Sequence, residues 1–300
     1  MVASEVDLGD WLSVLKADLL SDEGWEEAVG GCDYVLHVAS PFPPTEPKDA
    51  DELIVPAREG TLRVLRVALA AGARRVVVTS SSGTVSANRD GKSAGRPLTE
   101  DDWTDPSSPQ TRAYVRSKVL AERAAWELAR ADGAEDRLSV VLPGAILGPV
   151  LGPDLSYSVQ AVERMLNGPM PGIPHLGFAF VDVRDVADLH LRAMTAPEAA
   201  GERHLGTGPF LWLADIARIL RERLGPAARK VPRRQVPSLV VRAASIFDPS
   251  LRQVVRGLDQ EYSFSTEKAR TRLGWSPRPI EDTVVDCAQS LIRHGVVKPA

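Results

Sequence analysis

Three short apolar runs constrain most of what this chain can fold into. Residues 33–39 (D-Y-V-L-H-V-A), 74–80 (R-R-V-V-V-T-S) and 138–142 (L-S-V-V-L) are rich in β-branched side chains, as strands covered on both faces are. Between them lie long amphipathic segments at 51–71, with Leu53, Ile54, Ala57, Leu62, Leu65 and Leu69 turned toward a core, and at 111–131. Buried strands alternating with such helices build βαβ units and a parallel sheet with right-handed crossovers. Gly72 stops the first helix. The proline-rich residues 40–47 (S-P-F-P-P-T-E-P) cannot continue a strand or a helix, so they form a loop at a strand's carboxyl end. A further strand is expected at 11–19 (W-L-S-V-L-K-A-D-L). A short helix over 21–29 follows, capped by Ser21 and stopped by Gly30 and Gly31.

Beyond residue 150 the pattern loosens. Helices are expected at 157–166, 183–194, 213–224, 265–273 and 280–294, and a short strand at 178–183. The fold class is therefore α/β, a doubly wound parallel sheet in residues 1–150. A smaller, helix-rich second domain in 151–300 forms the substrate pocket, and segments near 178–195 return to the main sheet.

Composition narrows the function. Hydrophobic residues at 44% and charged residues at 25% are those of an ordinary globular protein. A net charge of −4 argues against a nucleic-acid partner, and the densest basic run, 227–234 (A-A-R-K-V-P-R-R), reads as a solvated connection. Cys32 and Cys287 lie far apart with no C-x-x-C spacing, which argues against a disulfide framework or a zinc site and fits a reducing cytoplasm. No apolar run reaches the ~18 residues of a membrane span, and the first residues do not form a signal peptide.

Ligands of parallel sheets bind beyond the carboxyl ends of the strands. Asp18, then Val38, Ala39 and Ser40, then Ser80, Ser81 and Ser82, then Pro143, Gly144, Ala145 and Ile146 all fall on that one rim. On the following helix, Tyr114 and Lys118 are four apart and share a face. An ammonium beside a phenol favours the phenolate and draws its pKa down from about 10, which suits proton transfer at a carbinol oxygen. Other polar residues have structural readings: His37 as a satisfied core histidine, Asp182 and Asp185 as caps or inter-domain contacts, Trp126 as packing. His175 is a weaker candidate for substrate contact.

Taken together, T-S-S-S-G-T-V after a buried strand, Y-V-R-S-K on the next helix, H-V-A-S-P, L-P-G-A-I-L-G-P, F-V-D-V-R-D-V-A and F-S-T-E-K-A-R-T-R-L-G-W-S-P-R-P-I resemble the extended short-chain dehydrogenases/reductases. Within them the chain is most similar to the dihydroflavonol reductase, cinnamoyl-CoA reductase and aldehyde reductase group. The resemblance implies a Rossmann-like fold and NAD(P)H-dependent reduction of a small carbonyl compound. Tyr114 would be the general acid/base, and Lys118 its partner and a contact of the nicotinamide ribose. Ser81 would bind the substrate oxygen, or Ser82 if the register moves by one. Asp18 and Leu19 would flank the adenine; Val38, Ala39, Ser40, Pro143, Gly144, Ala145 and Ile146 would line the cofactor; Ser158 would touch a phosphate. The reductase likeness favours NADP(H) over NAD(H), no metal is implied, and a homodimer through the helices at 51–71 and 111–131 is the family-level expectation.

The family's first strand, its G-x-x-G-x-x-G turn and the helix that holds the pyrophosphate have no counterpart in the sequence. Residues 11–19 then correspond to the family's third strand, and the chain is either a truncated enzyme or a short form that binds dinucleotide poorly. On either reading, strand 33–39 loses a neighbour. It must pair directly with residues 13–17 or present an unpaired apolar edge. Two other functions compete: a nucleotide-sugar epimerase or dehydratase on the same scaffold, and a non-catalytic dinucleotide-binding or interaction protein.

Overall fold

The computed structural model describes residues 12–43, 47, 49–86, 96–152, 154–168, 170–247 and 251–298. In chain order its first half comprises α1 (Trp25–Val29), β1 (Tyr34–His37), α2 (Asp51–Ala70), β2 (Arg75–Thr79), α3 (Gly83–Ser86), α4 (Ala113–Ala131), β3 (Leu138–Pro143) and β4 (Ala145–Leu147). The second half comprises α5 (Tyr157–Asn167), β5 (Ile173–Pro174), β6 (Gly177–Asp182), α6 (Val183–Thr195), β7 (Glu202–Gly206), β8 (Phe210–Trp212), α7 (Leu213–Leu224), β9 (Gln235–Val236), α8 (Ser238–Phe247), α9 (Arg252–Val255), α10 (Glu267–Leu273) and α11 (Ile280–Arg293).

The main sheet is parallel, in the order β1, β2, β3, β7. Its central strands are buried at their middles: Val76, Val77, Val140, Val141 and Leu142 are inaccessible to solvent. Helices α2 and α4 cover one face, where Leu65, Ala68, Ala125 and Ala129 pack on Val76, Val78, Leu138 and Val140. On the other face, α6 and α10 bring Val186, Leu189, Ala269 and Leu273 against Val77 and Val141. This is the doubly wound α/β architecture expected. Gly72 ends α2 with a left-handed φ of 84°, which a side chain would resist.

Three expectations change. Residues 12–18 form no strand; they are exposed, with Leu12, Val14 and Leu15 left in solvent. Alternating apolar residues make a strand only where an edge pairs them and a layer covers them, and neither occurs here. Instead the chain turns at Asp18. The Asp18 carboxylate accepts from Leu20 N–H at 2.9 Å, and its carbonyl accepts from Ser21 N–H at 3.1 Å and Trp25 Nε1–H at 2.9 Å. Helix α1 accordingly starts after Gly24 rather than at Ser21. Among the described residues β1 pairs with β2 alone, so of the two outcomes foreseen for it the unpaired edge is the one found.

The strand that returns from the second half to the main sheet is β7, not residues 178–183. β6 instead joins β4 and β8 in a separate three-stranded sheet, parallel to β4 and antiparallel to β8. Helix α6 does pack on β2 and β3. Around the small sheet, α5, α7 and α11 enclose a second core built on Met165, Leu166, Phe180, Leu220 and Leu291.

Candidate active site

The serine turn at the end of β2 is held from several sides. Ser80 N–H donates to the Val141 carbonyl at 2.8 Å and Ser82 N–H to the Pro143 carbonyl at 2.9 Å, fastening the turn to β3. Gly83 N–H donates to Ser81 Oγ at 3.1 Å, which leaves the Ser81 hydroxyl hydrogen to point elsewhere. Its influence falls on Tyr114, whose phenol the Ser81 hydroxyl draws down in pKa. A Cβ at Gly83 would come within 3.2 Å of Val115 Cγ2 and 3.3 Å of Ser81 Oγ, so glycine allows α4 to approach this closely. Of the two candidate serines, Ser81 faces the phenol.

One turn along α4, Lys118 is buried. Its Nζ donates to the Thr79 carbonyl at 3.0 Å, at the carboxyl end of β2. Burial draws its pKa down from 10.5 to about 8, opposed by the charge of Glu122. Tyr114 departs from the expected direction. Burial pushes its phenol up, and the Ser81 hydroxyl and the charge of Arg112 oppose this. Spacing put the pair on one face but could not show how far that face is withdrawn from water.

The rim residues fall as follows. Val38 and Ala39 are exposed and Ser40 half-buried; Ala39 and Ser40 line, with Lys118, a small cavity behind the site. Pro143 is buried and Gly144, Ala145 and Ile146 are half-buried. A Cβ on Gly144 would lie 2.2 Å from the Ala179 carbonyl oxygen, so β3 and β6 meet this closely only because residue 144 lacks one. The Ser158 hydroxyl donates to the Ile146 carbonyl. Asp18 and Leu19 lie at the turn before α1, and the Leu19 carbonyl accepts from Arg63.

Two aromatic side chains had not been anticipated. Phe42, in the proline-rich loop, packs edge-on against Tyr114 with ring centroids 4.6 Å apart and against Tyr157 at 4.9 Å. Tyr157 Oη donates to the Pro43 carbonyl at 2.9 Å and ties that loop to α5. A phenylalanine among prolines after a sheet strand was the only available sign.

The remaining polar candidates are structural. Thr61 Oγ1 donates to the Ala57 carbonyl at 2.8 Å, so it accepts from His37 Nε2–H at 3.2 Å; burial and the nearby Lys118 draw the His37 pKa down to about 4. Asp182 caps α6 through Arg184 N–H at 2.8 Å, and Asp185 accepts from Arg278. Trp126 packs in the core under α4. His175 stacks on Trp212 at 3.9 Å and bonds Asp259, away from Tyr114 in the contacts it makes. Among the described residues no cluster of three or more His, Cys, Asp or Glu side chains could hold a metal, and no helix is long and apolar enough to cross a membrane.

Residues 2–206 match the model of the NAD dependent epimerase/dehydratase family. A cinnamoyl-CoA reductase of Petunia hybrida is 32% identical over 288 residues, covering 95% of this chain and 78% of its own. A tetraketide alpha-pyrone reductase of Arabidopsis thaliana is also 32% identical over 288 residues, covering 95% of this chain and 80% of its own. Among solved structures, a yeast methylglyoxal/isovaleraldehyde reductase complexed with NADPH superposes with a TM-score of 0.76 at 24% identity, over 93% of this chain and 83% of that one.

A nicotinamide dinucleotide is the group such a fold implies. The residues present fit its nicotinamide-ribose half. Lys118 has three donor hydrogens and one carbonyl partner shown, and the rim from Val38 to Ser40 stands open beside it. For the pyrophosphate, these residues offer no glycine-rich turn leading into a helix. A parallel sheet with the serine turn and Lys118 at its carboxyl rim, in a chain that the family model matches over residues 2–206, places the chain in the NAD dependent epimerase/dehydratase family.

Proposed function

We propose that the protein is an NAD(P)H-dependent reductase that converts a small carbonyl compound to its alcohol at Ser81, Tyr114 and Lys118. The action of the Ser81 hydroxyl on the Tyr114 phenol, with Lys118 one helical turn on and tied to the Thr79 carbonyl at the end of β2, carries this reading. The nicotinamide would supply the hydride. Ser81 and Tyr114 would share the carbonyl oxygen, Ser81 stabilising the charge that develops there. Tyr114, kept protonated by its burial, would then deliver its proton to that oxygen. Lys118 would hold the ribose hydroxyls and offset the phenolate left behind. Val38, Ala39, Ser40, Pro143, Gly144, Ala145 and Ile146 would line the cofactor on the same rim, and Ser158 would reach it only by releasing the Ile146 carbonyl.

Phe42 beside Tyr114, backed by Tyr157, favours an apolar or aromatic carbonyl substrate over a nucleotide sugar. NADPH is the donor to test first, on the likeness to the plant reductases. The test is NADPH oxidation across aliphatic and aromatic aldehydes, ketones and UDP-sugars. Aldehyde or ketone turnover that disappears in Tyr114→Phe supports the reading. Turnover of UDP-sugars alone, or nucleotide binding with no turnover, overturns it.

A further inference from the structure

Behind the serine turn lies a buried ionic group that the proposed reaction does not itself use. Glu122, one turn beyond Lys118 on α4, is 1% exposed. Its Oε2 accepts from Ser80 Oγ at 2.5 Å and its Oε1 from Arg203 Nε at 2.5 Å. Arg203, on β7, is also buried. It donates to Thr84 Oγ1 at 3.1 Å and to the carbonyls of Glu100 and Asp102, and its guanidinium lies 3.7 Å over the Trp103 ring. Thr84 in turn donates to the Ser81 carbonyl at 2.8 Å. The serine turn is thus gripped through the residues on both sides of Ser81, and both grips end on the Glu122–Arg203 pair.

The same carboxylate lines the cavity that Lys118 enters, a space of about 10 Å³ bounded also by His37, Thr61, Thr79 and Ser80. The groups facing Lys118 can be named element by element. β2 presents the Thr79 carbonyl, β1 presents His37, α2 presents Thr61 and α4 presents Glu122. Beyond these, Arg203 lies behind Glu122, and His190 of α6 bonds Thr79 Oγ1 at 2.8 Å. His37 and His190 are both held neutral by burial. Glu122 is the acidic group among them. A buried ion pair is costly unless fully hydrogen-bonded, and this one is bonded onward to the serine turn through Ser80 and Thr84.

We infer that Glu122 is a positioning residue for the Ser81–Tyr114–Lys118 group: it braces the serine turn through Ser80 and supplies Lys118 with a buried counter-charge. The inference rests on the reductase reading for its consequence in turnover, but not for its first test.

That test is a titration of Lys118 by NMR in the full chain labelled with ¹³C-lysine, with the Cε signal assigned through Lys118→Arg. The wild type is expected to titrate near pH 8. Glu122→Gln is expected to move the midpoint down by about 1 pH unit, and Glu122→Asp, which keeps the charge, to restore most of it. Because Glu122→Gln leaves Arg203 buried without its carboxylate, the double variant Glu122→Gln/Arg203→Gln, which removes both charges, is measured alongside. An unchanged midpoint in Glu122→Gln, or in the double variant where the single one does not fold, overturns the inference, whatever the melting temperature does, because a purely structural ion pair would alter stability and leave Lys118 alone. In turnover, the alkaline limb of kcat should shift down in parallel. If the titration shifts while Tyr114→Phe leaves turnover intact, the reductase reading fails and the placement of Glu122 stands. If Tyr114 is essential and the titration does not move, the reverse holds.

Discussion

The hydroxyl of Ser81 draws down the pKa of the Tyr114 phenol and accepts from Gly83 N–H at 3.1 Å, whereas the next residue, Ser82, is anchored by its backbone N–H to the Pro143 carbonyl at 2.9 Å. The two serines are therefore expected to behave differently. Ser81→Ala should lower kcat for aldehyde reduction by about 10²-fold, the usual cost of one oxyanion donor, with the melting temperature little changed. Ser82→Ala should stay within a few-fold of wild type. Steady-state kinetics on both variants decides between them, and a larger loss at Ser82 would move the assignment by one residue.

Two histidines make the fold sensitive to acid. His37 and His204 each have a pKa drawn from 6.5 down to about 4, in both cases mainly by burial. Between pH 6.5 and 4 the unfolded chain binds these protons and the folded chain does not, so stability is full above pH 6.5 and falls as pH drops through that window. Each contributes up to about 3 kcal/mol. Urea unfolding at pH 7.0 and 4.5 should show this loss, and His37→Asn should show a smaller pH difference than the wild type. An equal difference in both would exclude His37 as a cause.

Phe42 closes the space next to Tyr114. Phe42→Ala removes both edge-on contacts, each worth about 0.5–1.5 kcal/mol. If this ring shapes the substrate pocket, KM for an aromatic aldehyde should rise about tenfold, while kcat changes less because the proton donor stays in place. A fall in kcat with KM unchanged would instead assign Phe42 to holding Tyr114 in register.

Among the described residues no strand pairs with the outer edge of β1, and Leu36 on that strand is 40% exposed. Such an edge recruits other strands. Leu36→Lys should reduce concentration-dependent light scattering and alter the unfolding free energy by no more than about 1 kcal/mol. Scattering as strong as the wild type's would place the association surface elsewhere.

Most of the main sheet could be read from the chain because its signals are local. Val76–Val78 and Leu138–Leu142 announce buried strands by composition, and α2 and α4 announce themselves by periodicity. β7 escaped notice because E-R-H-L-G does not look buried. Arg203 is buried only because Glu122, 81 residues away in sequence, neutralises it. Residues 12–18 misled in the opposite sense, having a strand's composition without a partner to pair with. Within the site, the four-residue spacing placed Tyr114 and Lys118 together, but their withdrawal from water, and hence the direction of the Tyr114 shift, depends on elements from the whole chain. Phe42 meets Tyr157 across 115 positions, a contact no local pattern encodes.

The central claim is that Tyr114 is the proton donor in a carbonyl reduction, and the most direct measurement is the rate of NADPH oxidation with an aromatic aldehyde, nucleotide being raised until the rate saturates, in the wild type and in Tyr114→Phe. A wild-type rate that falls by about 10²–10⁴-fold in the variant, with the fold intact by circular dichroism, is the expected result. A variant that retains most of the wild-type rate would contradict it.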